Sequence, residues 1–217
     1  PPMQTSCLID GRPGDTVATD DRGLNYGDGL FETLAVSKGV CEFWDRHMQR
    51  LVQGCLRLQL APPDLDTLAA EANELCRDVQ RAVLKIVVTR GRGGRGYRMP
   101  AVVAPPRIVR LVEWPDHPAT YAEHGVDVRL CALRLSSNPA LAGMKHLNRL
   151  EHVLARNEWD DRTFAEGLLM DATGHLIEGI SSNVFVVRNG ILSTPRLDQC
   201  GVKGILRDVV MELATAA

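Results

Sequence analysis

The 217-residue sequence contains no apolar run approaching the ~20 residues that cross a bilayer, so a membrane span is not expected. Pro1 to Asp10 has no basic head followed by an apolar core, so a secretory leader is not expected either. No excess of either charge is present: 25 Lys+Arg stand against 27 Asp+Glu, for a net charge of −2. A dedicated nucleic-acid binder usually carries a basic excess, so that class is disfavoured. The six cysteines, at 7, 41, 55, 76, 131 and 200, form no Cys-x-x-Cys pair, which excludes a zinc ribbon or a redox motif of that kind. The absence of a disulfide framework points to a reducing, cytoplasmic compartment. The six histidines lack metal-ligand spacing, no His-Glu-x-x-His occurs, and no metal is expected. No Gly-x-Ser-x-Gly elbow occurs, which argues against a serine hydrolase of that type.

With 45% hydrophobic and 24% charged residues, the composition is that of an ordinary globular protein able to bury a sizeable core. Residues 7–36 read as short strands broken by turns. Arg46 to Leu60 changes to helical spacing, with Met48, Leu51, Val52, Cys55 and Leu56 on one stripe. Pro62-Pro63 ends that helix, and Asp64 caps a second one striped by Leu65, Leu68, Ala72, Leu75 and Cys76. Val83 to Thr89 predicts a strand buried on both faces apart from Lys85. Arg107 to Glu113, Gly125 to Leu135, Glu166 to Met170, Asn183 to Val187 and Ile191 to Thr194 read as further strands. Asn189-Gly190 predicts a hairpin turn. Met144 to Trp159 predicts a helix with Leu147, Leu150, Val153 and Leu154 inward, and Gly204 opens a last helix. Regular strand–helix alternation is missing, so an α+β chain in two lobes fits better than a doubly wound sheet. The division is a first lobe over 1–114, a linker over 115–124 and a second lobe over 125–217.

Four constellations carry chemistry. Lys145, beside Gly143 in an otherwise apolar stretch, is placed to lose its charge and act as a nucleophile toward a carbonyl. The ordinary alternative is a solvated lysine. Glu178, in Leu176-Ile-Glu-Gly-Ile-Ser-Ser-Asn-Val-Phe185, is a carboxylate set among apolar residues and suits a pyridinium partner. Its alternative is a solvent-facing hairpin residue. Gly201-Val-Lys-Gly204 leads into a helix, where backbone N–H groups attract phosphate, and Arg50 could close that site. Arg90-Gly-Arg-Gly-Gly-Arg-Gly-Tyr-Arg98 has the composition of an arginine-glycine RNA-binding segment. In a chain of net charge −2 it suits a small carboxylate ligand better.

Asp21-Arg-Gly-Leu-Asn-Tyr-Gly-Asp-Gly-Leu-Phe-Glu32, His47-Met-Gln-Arg-Leu51, Lys145 and Glu178 to Phe185, in that order, resemble the fold-type IV pyridoxal-phosphate enzymes. That family contains branched-chain and D-amino acid aminotransferases and 4-amino-4-deoxychorismate lyases. Three stretches resemble the lyases' versions of the motifs: Arg90 to Tyr97, Leu141-Ala-Gly-Met-Lys-His-Leu-Asn-Arg-Leu-Glu151, and Thr194-Pro-Arg-Leu-Asp-Gln-Cys-Gly-Val-Lys-Gly204. The resemblance runs from about residue 7 to the end. Phe31 stands where D-amino acid aminotransferases carry a tyrosine, which counts against that branch.

The resemblance implies a smaller N-terminal α/β lobe, a larger barrel-like C-terminal lobe with helices, and a homodimer. It implies that Lys145 carries pyridoxal 5'-phosphate and is the catalytic residue. Arg50 and the backbone N–H groups of Ile205 and Leu206 after Gly204 would hold the phosphate, Glu178 the pyridine nitrogen, and Ser182 and Asn183 would lie beside the cofactor. The implied substrate is 4-amino-4-deoxychorismate, converted to 4-aminobenzoate and pyruvate in folate biosynthesis, with an aminotransferase as the alternative. Arg95, with Arg92, Arg98 and Tyr97 nearby, is the expected partner of the substrate carboxylates. Members of that family usually continue beyond the point where this sequence stops, so the second lobe is expected to be cut short at its C-terminal end.

Overall fold

The computed structural model describes residues 7–100, 104–160 and 163–216. Most of the segment read for a leader, residues 1–6, and the final residue of the last helix read from the sequence lie outside the described residues. The chain divides into two units: residues 1–115 with Lys145–Asn148, and residues 116–144 with 149–217. The first unit is the longer one.

In the first unit the elements are β1 (Cys7–Ile9), β2 (Arg12–Pro13), α1 (Arg22–Tyr26), β3 (Gly29–Ser37), β4 (Val40–Cys41), α2 (Trp44–Arg57), α3 (Leu65–Cys76), β5 (Arg81–Thr89) and β6 (Arg107–Val112). The strands form one antiparallel sheet in the order β2-β1-β6-β5-β3-β4. The two-residue period of a strand sorts the side chains. Leu30, Glu32, Leu34 and Val36 of β3, Ala82, Leu84, Ile86 and Val88 of β5, and Val109 and Leu111 of β6 are all buried. The amphipathic helices α2 and α3 add Met48, Leu51, Cys55, Leu68, Ala72 and Cys76 to this core. The opposite face, with Phe31, Thr33, Val83, Lys85 and Val87, is half-buried. Lys85 is the exception the sequence predicted in a strand buried on both faces; Val83 and Val87, predicted buried, share its half-buried face.

Helix boundaries follow local chemistry. Asp64 accepts the Thr67 N–H and caps α3 as the sequence predicts. The sequence did not predict α1. Asp21 accepts the N–H groups of Gly23 and Leu24, and Gly27 closes the helix at φ +65°.

In the second unit the elements are α4 (Tyr121–His124), β7 (Val128–Leu135), α5 (Leu150–Arg156), β8 (Glu166–Asp171), β9 (Leu176–Gly179), β10 (Val186–Arg188), β11 (Ile191–Ser193) and α6 (Ile205–Ala216). Strand β7 runs parallel to β8, and β8 antiparallel to β9. The hairpin β10–β11 turns at Asn189 and Gly190, both at positive φ, as the Asn-Gly pair predicts. Where the resemblance implies a barrel-like lobe, the described residues form this three-stranded sheet and a separate two-stranded ladder. Cys131, Leu135, Ala155, Trp159, Leu169, Ile177, Leu197 and Cys200 form its core.

One predicted helix is largely absent. Residues 144–149 are not helical, and α5 starts only at Leu150. The cause is competition for backbone groups. Phe31 N–H donates to Lys145 O at 2.9 Å, and Leu147 N–H donates to Gly29 O at 3.0 Å. Groups spent on β3 cannot close helical turns. The leucine spacing that suggested an inward stripe is mostly outward: Leu150 is 69% exposed, and Val153 and Leu154 are exposed as well.

Candidate active site

Lys145 lies on the extended segment that Gly143, at φ +79°, turns toward β3. Its Nζ is 4.4 Å from the centroid of the Phe31 ring. Lys85 Nζ is 5.3 Å from the same ring. A ring face attracts cations through its quadrupole, so Phe31 gathers two amines on the half-buried face of the sheet. Burial, and then the charge of Arg110, draw the Lys85 ammonium below the usual lysine range. Arg110 is its cross-strand neighbour on β6, and Thr33 its neighbour on β3.

Arg50 projects from α2 toward Glu32 of β3. Its Nε donates to Glu32 Oε1 at 2.8 Å, and its Nη2 donates to Oε2. His47, one turn earlier on α2, lies 2.6 Å from the same carboxylate through Nδ1. Glu32 is 1% exposed. Burial alone would raise its pKa, but the hydrogen bonds from Arg50 and then His47 outweigh that and hold it below the ordinary range. The carboxylate orients the guanidinium by two parallel bonds. Glu32 and His47 were not assigned roles from sequence. The signal was a glutamate in an apolar strand matched by a His-x-x-Arg pair on one helix face.

In the second unit Glu178 sits on β9, 2% exposed. Its Oε2 accepts the Val202 N–H at 2.8 Å, and its Oε1 faces His152 Nε2 at 3.0 Å. It is a buried residue and not the solvent-facing alternative. Asn183 fastens the turn into α6, accepting the Gly204 N–H at 3.0 Å and donating to Val202 O at 2.9 Å. A Cβ on Gly204 would stand 2.1 Å from Asn183 Oδ1, so a side chain there would displace the amide that fastens the turn. The N–H groups of Ile205 and Leu206 open α6 and have no intrahelical acceptor, the standard position for an anion. Ser182 donates to Glu166 Oε2 at 2.9 Å.

The arginine-glycine loop is divided in its duties. Arg90 is buried and tied to Asp28 and to the carbonyls of Leu58 and Gln59. Arg92 reaches both oxygens of Asp20. Arg95 and Arg98 are exposed. Tyr97 is 85% exposed, its ring 5.4 Å from that of Tyr26.

The amino-transferase class IV family model matches residues 29–217. The chain belongs to that family. Among its class IV relatives, the chain is 36% identical over 204 residues to an aminodeoxychorismate lyase of Vibrio harveyi, covering 94% of this chain and 75% of that protein. It is 32% identical to a putative branched-chain-amino-acid aminotransferase of Methanocaldococcus jannaschii, covering 91% of this chain and 69% of that one. The solved structure of 4-amino-4-deoxychorismate lyase from Pseudomonas aeruginosa superposes with a TM-score of 0.92 at 45% identity, covering 97% of this chain and 77% of that one. The α+β fold-type IV architecture follows.

These side chains fit a pyridoxal-phosphate cofactor. An aldehyde needs a primary amine, a phosphate needs a guanidinium or helix N–H groups, and a ring nitrogen needs a buried carboxylate. Lys145 and Arg50 in the first unit, and Glu178 and the start of α6 in the second, are groups of these kinds. Gly204, where any Cβ would collide, leaves the backbone at α6 bare for close approach. Among the described residues no cluster of His, Cys, Asp and Glu could hold a metal, and no helix is long and apolar enough to cross a membrane.

Proposed function

We propose that this chain is a pyridoxal-phosphate-dependent carbon–oxygen lyase that converts 4-amino-4-deoxychorismate to 4-aminobenzoate and pyruvate, acting as a cytoplasmic homodimer. The observation that carries the reading is the pair of amines on Phe31, in a chain 45% identical to a lyase of that name. One amine serves the chemistry, and the second offers charge to a substrate that has two carboxylates.

Pyridoxal phosphate, when bound, supplies an aldehyde for the substrate's amine and a pyridinium ring that delocalises the electron pair left at the adjacent carbon. Lys145 Nζ removes the proton from the carbon that bears the nitrogen. The enolpyruvyl group then leaves from the neighbouring carbon, and the ring becomes aromatic. Lys145, now an ammonium, returns a proton to the departing enol, which yields pyruvate. One side chain thus serves as base and then as acid. Glu178 would hold the ring nitrogen. Arg50, oriented by Glu32, and the N–H groups of Ile205 and Leu206 would hold the phosphate, with Asn183 fixing the turn into α6. Lys85 and Arg110 receive a substrate carboxylate, and Arg95 is placed on the loop to receive the other.

The test is direct. The protein is incubated with 4-amino-4-deoxychorismate, and 4-aminobenzoate and pyruvate are measured alongside Lys145→Ala. Equal amounts of both products from the wild type, and none from the variant, support the lyase. A cofactor-loaded wild type that forms neither product, but passes an amino group to 2-oxoglutarate, would make it an aminotransferase.

A further inference from the structure

His152 is a half-buried titratable side chain to which the reaction assigns no task. Its Nε2 lies 3.0 Å from Glu178 Oε1. Its Nδ1 is shielded from solvent and has no hydrogen-bond partner among the described residues. A bare ring nitrogen tolerates such isolation better than an N–H, whose lost hydration would go uncompensated. Nε2 is therefore the nitrogen that carries its N–H toward Glu178. Val202 N–H donates to the other carboxylate oxygen at 2.8 Å. Around this pair, Arg149 at the start of α5 is the further cation whose charge reaches Glu178, and Glu151 lies within reach of the same guanidinium.

We propose that His152 is a positioning residue that aims the Glu178 carboxylate at the ring nitrogen of pyridoxal phosphate. This rests on the reading of Glu178 as the partner of that nitrogen. The physical reason is that two donors, one on each oxygen, fix the plane and direction of the carboxylate. Glu178 is 2% exposed, so water does not replace a donor that is lost. Without His152 a single backbone donor remains, the carboxylate turns out of line, and its hold on the proton of the ring nitrogen weakens. The ring is then a poorer sink for electrons, and the step at Lys145 slows while substrate binding is spared.

The experiment uses the full chain loaded with pyridoxal phosphate labelled with 15N in the ring, comparing wild type, Glu178→Gln, His152→Leu and His152→Gln. The ring-nitrogen chemical shift reports protonation independently of turnover. The wild type is expected to show a pyridinium shift. His152→Leu is expected to move it toward the unprotonated value, with kcat lower by a factor on the order of ten and KM within about twofold, the scale of one hydrogen bond to a charged group. His152→Gln, whose amide N–H can donate to the same oxygen, is expected to restore both. His152→Phe, which fills the site without a donor, replaces His152→Leu should that variant not fold. A His152→Leu or His152→Phe protein with a pyridinium shift and wild-type kcat overturns the proposal. If Glu178→Gln moves the shift in that case, the role of Glu178 stands and only that of His152 falls. If Glu178→Gln leaves the shift unchanged, Glu178 is not the partner of the ring nitrogen and the underlying reading falls with it.

Discussion

Phe31 and Lys145 meet twice, once through the backbone and once through the side chains. The Phe31 N–H donates to Lys145 O at 2.9 Å, and the Lys145 ammonium rests 4.4 Å from the centre of the Phe31 ring. The main-chain bond fixes where the lysine starts, and the ring limits where its amine ends. A long, flexible side chain is thereby held to a small volume, which suits the proposed role of Lys145 as base and then acid.

The second amine on that ring gives a separable prediction. Lys85→Met keeps the stem and removes the charge. The expected outcome is a KM for 4-amino-4-deoxychorismate raised roughly tenfold, the scale of one lost charge-assisted hydrogen bond, with kcat largely retained. Steady-state kinetics checks it. A fall in kcat at unchanged KM would move Lys85 from binding to chemistry.

Glu32 predicts an acid limb. Arg50 and His47 hold its carboxyl below the ordinary value of 4.5. For a group depressed in the folded state, the stabilisation is fully present above the unfolded value. It is lost as pH falls through the folded one. Melting temperature should therefore fall as pH drops below about 4.5, and the fall should be shallower in Glu32→Gln. The same variant should bind pyridoxal phosphate more weakly at neutral pH, because Arg50 loses its orienting anion. Thermal scans against pH and a fluorescence titration with the cofactor check the two halves.

Gly201 predicts a loss of a different kind. Its φ is +81°, and a Cβ there would lie 2.9 Å from Ile177 and Leu197 and 3.2 Å from Glu178 Oε2. Gly201→Ala combines a left-handed backbone with core contacts too close to accept a methyl group. A cost of about 1–3 kcal/mol is expected from the backbone alone. Calorimetry should show a lowered Tm, and the displaced Glu178 should weaken cofactor binding in parallel.

Thiol reactivity offers a check on how the cysteines are buried. Cys41 and Cys76 lie with Sγ atoms 3.7 Å apart. The contact with Cys76 draws Cys41 below the usual thiol range despite its burial. Burial pushes Cys7 up, and pushes Cys55 and Cys200 each up to about 11. Since the thiolate is the reactive form, iodoacetamide should label Cys41 first. Peptide mapping after brief alkylation checks the order.

The sequence was most legible where local chemistry and burial agreed. The β5 run, the Asp64 cap, the Asn189-Gly190 turn and the opening of α6 were all readable, because propensity and tertiary role coincide there. It misled at Met144 to Arg149, where leucine spacing suggested a helix but the backbone groups belong to β3. It was silent on the partners of the site residues. That Glu178 needs His152, or Arg50 needs Glu32, depends on contacts across 26 and 18 residues, which periodicity does not encode. The arginine-glycine loop looked uniform, yet its arginines range from a buried anchor at Arg90 to exposed side chains at Arg95 and Arg98.

The pairing of Lys145–Asn148 with β3 also bears on the order in which the protein is made. All six strands of the first sheet have been synthesised by Val112, before the reactive lysine is translated. The edge of β3 at Gly29 to Phe31 must wait for a segment encoded more than a hundred residues later. A chain split in the 115–124 region would leave the lysine on the fragment that does not contain Phe31. The first sheet can therefore be built early, but the amine to which we assign the chemistry arrives only with the second half of the chain.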